Sequence, residues 1–158
     1  NSVGFGEALQ LVNIIKDARE DSERGISFIP ESLCAEMGIS TQTLFEEKNR
    51  AAARKVFGKL IAKAVGFLDQ ALDYTLALPR LEPKIRLFCL WPLLMAVSTL
   101  ERATQGDQLF SGPKVKISRK EVKQILFWST LQCGSNTLLR RRYNAQRKTI
   151  LRNLENFR

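Results

Sequence analysis

The sequence predicts an all-α protein of one domain, and three observations carry that prediction. Apolar residues recur at spacings of three and four over long stretches, as helices with a buried face require. Only nine glycines and five prolines punctuate 158 residues. The hydrophobic share of 44% beside a charged share of 26% suits a globular helical chain with enough length to bury a core without disulfides or metal staples.

The first helix is expected from about Gly4 to Glu23, with Arg24-Gly25 ending it. A short extended linker, residues 26–30, leads to Pro30 at the first turn of a brief helix, Glu31 to Met37, which Gly38 stops. Ser40-Thr41 or Thr43 should cap the next helix, with Glu46 and Glu47 in its early turns, and it should extend to about Ala77. Leu78-Pro79 and Pro83 mark a turn. A very apolar helix follows from about Lys84 to Ala103, central by composition, with Pro92 expected to kink it near Phe88 to Leu90. Residues 106–113 break the pattern with two glycines and a proline. Lys114 to Lys120 alternates basic and apolar residues, as a short strand or an ordered loop would. A last helical region runs from about Arg119 to Asn156, with Gly134-Ser135 a break or kink inside it.

Composition excludes several kinds of chemistry. Histidine is absent, which removes His-based triads and His-ligated metals and leaves carboxylates, amides, Tyr and Lys to act. Cys34, Cys89 and Cys133 are odd in number and far apart. They read as reduced thiols of a cytoplasmic protein, with neither a disulfide frame nor a zinc site. The net charge of +9 comes without a nucleic-acid-binding motif, so no nucleic acid is expected; diphosphates or an acidic membrane surface suit the charge equally well. No apolar stretch is expected to span a membrane, and no signal peptide is visible. The chain starts at Asn1 in a helix that already looks mature, so it is expected to be cut from something longer.

The densest chemistry lies in the first helix. Gln10, Asn13, Asp17 and Asp21 recur at spacings of three and four, with Gly6 before them and Arg24 after. Side chains four apart lie roughly 40° from each other around the axis, so these residues share one face. Leu9, Leu11, Val12, Ile14 and Ile15 make the helix apolar on both sides of that stripe. A carboxylate pair at i and i+4 is ordinarily a solvated face, but such a face would carry Lys and Glu where this one has amides. Like charges at that spacing repel. Mg²⁺ is the natural cation between them, because it takes one or two carboxylates together with phosphate oxygens and water.

The run Leu9-Gln10-Leu-Val-Asn13-Ile-Ile-Lys16-Asp17-Ala-Arg-Glu20-Asp21, closed by Phe28-Ile29-Pro30, resembles the second aspartate-rich motif of the squalene/phytoene synthase family. Two further segments resemble the squalene synthases in particular. Phe88-Cys89-Leu-Trp-Pro92-Leu-Leu-Met95-Ala-Val-Ser-Thr99-Leu100 is similar to their F-C-x-x-P-x-x-M-A-x-x-T-L helix, and Leu109-Phe110-Ser-Gly112-Pro-Lys-Val-Lys116-Ile to their V-F-x-G-x-V-K-I-R-K segment. The resemblance covers residues 4 to 120 in order and implies the C-terminal half of an isoprenoid-synthase helical bundle.

It further implies a reaction and a set of roles. Two farnesyl diphosphates would join head to head through presqualene diphosphate to squalene, with Mg²⁺ and NADPH. Asp17 and Asp21 would hold the metal with Glu20 assisting, while Gln10 and Asn13 orient diphosphate or metal-bound water. Leu9, Val12, Phe88, Cys89 and Pro92 would line the apolar pocket for the farnesyl chains. Lys116 and Arg119, and Lys16 beside Asp17, would meet phosphates, the first two those of the nicotinamide cofactor. The family's first aspartate-rich motif and the arginines of its N-terminal half are not among these residues. That missing half is the expected partner, and the fragment alone is expected to turn over nothing.

Two departures stand out. Ile26 occupies a place where many members carry arginine, and Ser118 pushes the charge of the basic segment one position along. Two alternatives stay open, a phytoene or dehydrosqualene synthase that makes no squalene and a non-catalytic helical interaction module. A peripheral membrane contact and association of the fragment with itself are also expected, since apolar surface would be left bare.

Overall fold

The computed structural model describes residues 2–157 and contains six α-helices and no strand among them. They are α1 (Ser2–Glu23), α2 (Glu31–Ala35), α3 (Arg50–Ala77), α4 (Pro83–Ala103), α5 (Arg119–Gln132) and α6 (Asn136–Asn153), with 3-10 turns at Glu47–Asn49 and Leu154–Phe157. The longest, α3, packs against α1 and α4, and α4 in turn contacts both α5 and α6. The core lies where α1, α3 and α4 meet. It is filled by Val12 and Ile15 from the first, Phe57, Ile61, Leu68 and Leu72 from the second, and Leu90, Leu93, Leu94 and Leu100 from the third.

Glycines end the first two helices as the sequence suggests. Gly25 has φ 74°, its N–H bonds to the Ser22 carbonyl at 2.9 Å, and the Ile26 N–H reaches back to the Asp21 carbonyl at 2.9 Å. This is the paired closure of a left-handed C-terminal cap. Gly38, at φ 72°, closes α2 in the same way through the Ala35 and Cys34 carbonyls. The helical hydrogen bonding there ends at Ala35, two residues short of Met37.

The third helix begins later than expected, at Arg50. The hydroxyls that should have capped it make a turn of their own instead. Thr43 Oγ1 accepts from the Ser40 N–H at 3.2 Å, Thr41 gives both its N–H and its hydroxyl to the Glu31 carboxylate, and Asn49 Nδ2 closes on the Thr43 carbonyl at 2.8 Å. Ser and Thr compete for local backbone groups in this manner, which favours turns over helix.

Helix α4 stays helical from Pro83 to Ala103 with Pro92 inside it, so the proline does not end it. Contrary to the sequence expectation, this helix is long and apolar enough to cross a membrane by length and composition. From Leu90 onward most of its apolar residues are instead buried against the neighbouring helices, while Ile85 and Phe88 near its start stay exposed. Even Arg86 is fully buried, donating to the Leu78 carbonyl at 3.1 Å and to Asn136 Oδ1 at 2.6 Å. Asn136 in turn donates to the Leu76 carbonyl, so one polar knot ties the end of α3 to the starts of α4 and α6. Burial lowers the pKa of this guanidinium.

Residues 114–118 form an extended, ordered loop, not a paired strand. Ser118 then caps α5: its hydroxyl accepts the Glu121 N–H, and the Glu121 carboxylate accepts the Ser118 N–H at 2.7 Å. The displacement of charge in the basic segment thus has a local cause, since the intervening residue is a helix cap. The break at Gly134-Ser135 is real, with Ser135 capping α6.

Candidate active site

Helix α1 presents two opposite faces. Ala8, Val12, Ile15 and Ala18 are buried against the core, which fixes the rotation of the helix. The stripe of Gln10, Asn13, Asp17 and Asp21 lies on the far side and points away from this chain's own core. Gln10 and Asn13 are exposed, while Asp17, Glu20 and Asp21 are half-buried, with Leu9, Leu11 and Ile14 half-buried beside them.

A loop from the other half of the chain reaches this stripe. Phe110 packs edge-on against Phe57 with ring centroids 5.5 Å apart, and the Arg50 guanidinium lies 5.0 Å over its face. Asp107 pairs with both Arg50 and Arg54 of α3. Gly112 allows the chain to double back, because a Cβ there would meet the Gln108 backbone at 2.9 Å. Arg19 of α1 then holds the loop by donating to the Gly112 carbonyl at 3.3 Å.

So anchored, the loop delivers Lys114 to the carboxylates. Its ammonium lies 2.6 Å from Glu20 and 3.6 Å from Asp17. The hydrogen bond to Glu20 is the main cause that raises the Lys114 pKa. Lys16 sits 2.5 Å from the other oxygen of Asp17. Asp17 Oδ1 is nevertheless buried without a hydrogen bond, and Asp21 makes no ion pair among the described residues. A cleft of about 220 Å³ opens on the Glu20 side of α1, walled by Lys16, Arg19, Glu20, Glu23, Gln108 and Lys114 and by none of the four stripe residues.

The structure therefore gathers Lys16, Asp17, Glu20 and Asp21 with Lys114 and leaves other expected residues apart. Lys116 and Arg119 are exposed and make no ion pair among the described residues. Phe88 is 79% exposed on α4, Cys89 and Pro92 are half-buried there, and burial pushes the Cys89 thiol up. Val12 is closed into the core at 2% exposure and offers no open surface. Lys114 and Arg19 are the residues that sequence reasoning passed over. The alternation around Val115, 3% exposed, was the available signal: burying Val115 in an extended chain sends its two neighbours outward.

No three His, Cys, Asp or Glu side chains among the described residues form a ready metal cluster. The donors present still fit a hard divalent cation. They are carboxylates, one of them with a buried, unbonded oxygen, and Mg²⁺ needs only one or two such ligands when phosphate and water complete its shell.

The helical bundle that carries the striped α1 has the fold of the isoprenoid-synthase class. The chain superposes on a solved complex of TcSQS with the ligand E5700 with a TM-score of 0.72 at 24% identity, over 98% of this chain and 50% of that one. Within that class the chain belongs to the squalene/phytoene synthase family, which it matches over residues 1–121. Squalene synthase of Rattus norvegicus is 29% identical over 82% of this chain and 30% of its own length. That of Schizosaccharomyces pombe is 32% identical over 82% of this chain and 27% of its own length. The match thus spans 30% or less of the length of these curated relatives.

Proposed function

We propose that this chain supplies one carboxylate jaw of a squalene synthase-type transferase that joins two farnesyl diphosphates head to head. The observation that supports it most directly is the α1 stripe. Asp17 keeps a buried oxygen without a hydrogen bond, and Asp21 makes no ion pair among the described residues, on a face turned away from this chain's core.

Asp17 and Asp21 would hold Mg²⁺, with Glu20 assisting. The bound metal supplies Lewis-acid neutralisation of the diphosphate as it leaves. Gln10 and Asn13, exposed one and two turns earlier, donate amide hydrogens that orient diphosphate oxygens. Lys16, Arg19 and Lys114 line the adjacent cleft and draw an anion toward it. The half-buried apolar flank of Leu9, Leu11 and Ile14 would offer prenyl chains a wall, and Phe88, Cys89 and Pro92 of α4, which lie apart from it and of which Phe88 is exposed, would join that wall only where a prenyl chain covers them. Val12 supports that wall from behind.

NADPH fits less tightly. Lys116 and Arg119 are free to meet its phosphates, whereas Ser118 is committed to capping α5. The reading of a dehydrosqualene- or phytoene-forming enzyme is separated from squalene formation by the products made with and without NADPH.

The test is Asp21→Asn in the intact protein, assayed for diphosphate release and isoprenoid product from farnesyl diphosphate. Loss of one charged group from an electrostatically assembled site should lower turnover on the order of 100-fold. Gln10→Ala should cost less, since it removes one neutral donor. Unchanged turnover in Asp21→Asn, or no Mg²⁺-dependent turnover by the intact protein, defeats the proposal.

A further inference from the structure

The backbone around Lys114 is fixed on both sides. Arg19 donates to the Gly112 carbonyl at 3.3 Å, Pro113 restricts the chain just before the lysine, and Val115, 3% exposed, is sealed into the core just after it. Between those points the freedom left to Lys114 is that of its own four-carbon stem. The ammonium ends over two carboxylates of α1 that stand one turn apart, 2.6 Å from Glu20 Oε2 and 3.6 Å from Asp17 Oδ1. Among the described residues only Lys114 pairs with both.

The longer of the two distances shows what kind of contact this is. At 3.6 Å the ammonium is an ion-pair neighbour of Asp17 Oδ1 and not its hydrogen-bond donor. That oxygen is buried and accepts from nothing else. Lys16 behaves differently, since it rides on α1 itself and takes only Asp17 Oδ2, at 2.5 Å. Lys114 comes from a separate loop, and its side chain is 42% exposed, so it can swing away without disturbing the helix. It also stands where this chain departs from its relatives' pattern. The segment F-x-G-x-V-K-I has one residue between glycine and valine, whereas Gly112 and Val115 enclose two, Pro113 and Lys114.

We infer that Lys114 is the resident counter-cation of the α1 carboxylates: it bridges Asp17 and Glu20 in the ligand-free protein, gives way to a divalent cation, and then turns to the diphosphate. This rests on the reading of α1 as a metal–diphosphate jaw. A monovalent ammonium relieves the repulsion between carboxylates one turn apart. It yields to Mg²⁺, whose double charge is stronger and whose shell takes carboxylate and phosphate oxygens together. The released ammonium keeps three donors, which phosphate oxygens accept in charge-assisted hydrogen bonds. Lys114 thus holds metal affinity down while the site is empty and adds to diphosphate affinity once the metal is in place. It is a positioning residue that couples the two ligands.

Mn²⁺ titration of the intact protein, followed by electron paramagnetic resonance without substrate, reads the first step. Lys114→Met keeps the length of the side chain and removes its charge, and it should tighten Mn²⁺ binding about threefold, on the scale of one exposed ion pair. Lys123→Met removes the same charge from an exposed position on α5 with no ion pair among the described residues, and it should leave Mn²⁺ binding unchanged. Titration of the Mn²⁺-saturated protein with inorganic pyrophosphate reads the second step. There Lys114→Met should bind more weakly, by about fivefold.

Mn²⁺ binding by Lys114→Met that is equal to or weaker than that of wild type overturns the inference. Unchanged pyrophosphate binding overturns it as well. Asp17→Asn separates this failure from failure of the α1 reading. If Asp17→Asn weakens Mn²⁺ binding while Lys114→Met leaves it unchanged, the jaw stands and only the role of Lys114 falls. If neither variant alters Mn²⁺ binding, both fall.

Discussion

Removing one buried hydroxyl should loosen the helix that supports the carboxylate stripe. Tyr143 on α6 is 2% exposed, and its hydroxyl donates to Asp69 Oδ1 on α3 at 2.7 Å. Arg147, one turn on, donates to both oxygens of the same carboxylate at 2.9 and 3.1 Å. Tyr143→Phe keeps the ring in its slot and leaves Asp69 paired with Arg147, so no buried charge is orphaned. The loss is one hydrogen bond to a charged acceptor, about 1.5 kcal/mol, at the low end of the range because water reaches Asp69. For a chain of this size that corresponds to a fall in Tm of about 3–6 °C. Asp69→Ala strands both donors and should cost about twice as much.

The pH dependence gives an independent check. Burial, then the bond to Asp69, raises the Tyr143 pKa far above its ordinary value. The unfolded chain therefore ionises first. The contribution of Tyr143 is fully present below the unfolded value of about 10 and is lost as the pH climbs beyond it. Thermal melts of wild type and Tyr143→Phe should differ most near neutrality and converge in alkali. A Tm within about 1 °C of wild type at pH 7, or a gap that persists undiminished in alkali, would refute the reasoning.

Two further outcomes test how α1 and α5 are closed. Gly25→Ala meets no steric neighbour but must hold a φ of 74°, so it should cost about 1 kcal/mol. Amide exchange should rise first in the last turn of α1, next to Asp21, and uniform exchange across α1 would count against this. Ser118→Ala removes the α5 cap and should also cost about 1 kcal/mol. The Glu121 carboxyl is held low, chiefly by Ser118 and then by Arg102. Its contribution is thus present above its unfolded value near 4.3 and fades as the pH falls below it. Melts in acid should show the variant losing less than wild type, and parallel curves would contradict the assignment.

The helices themselves were legible because their signals are local. Gly25 and Gly38 stop helices through backbone geometry that only their own neighbours need to satisfy, and the apolar spacing of α3 and α4 requires no knowledge of partners. The start of α3 was not legible, since Ser40, Thr41 and Thr43 carry the same side chains whether they cap a helix or tie a turn. What decided between the two was Glu31, ten residues away on another element. The apolarity of α4 was likewise ambiguous between a core and a bilayer until α1, α3, α5 and α6 were seen to pack on it and bury Leu90, Leu93, Leu94, Val97 and Leu100.

The same division runs through the site. Asp17 and Asp21 could be read directly, because a helix turns sequence spacing into spatial spacing. Lys114 could not, because its placement depends on a long-range chain of contacts in which Phe110 packs on Phe57, Asp107 pairs with α3, and Arg19 grips the loop at Gly112. That anchoring also carries a chemical consequence. Three carboxylates within two turns of one helix repel one another, and Lys16 and Lys114 offset part of that repulsion from two directions while Asp21 has no ion-pair partner among the described residues. A helix built only for stability would complete the compensation. Asp21 completes no ion pair among the described residues, and that imbalance, more than the aspartate spacing, is what the proposed diphosphate chemistry rests on.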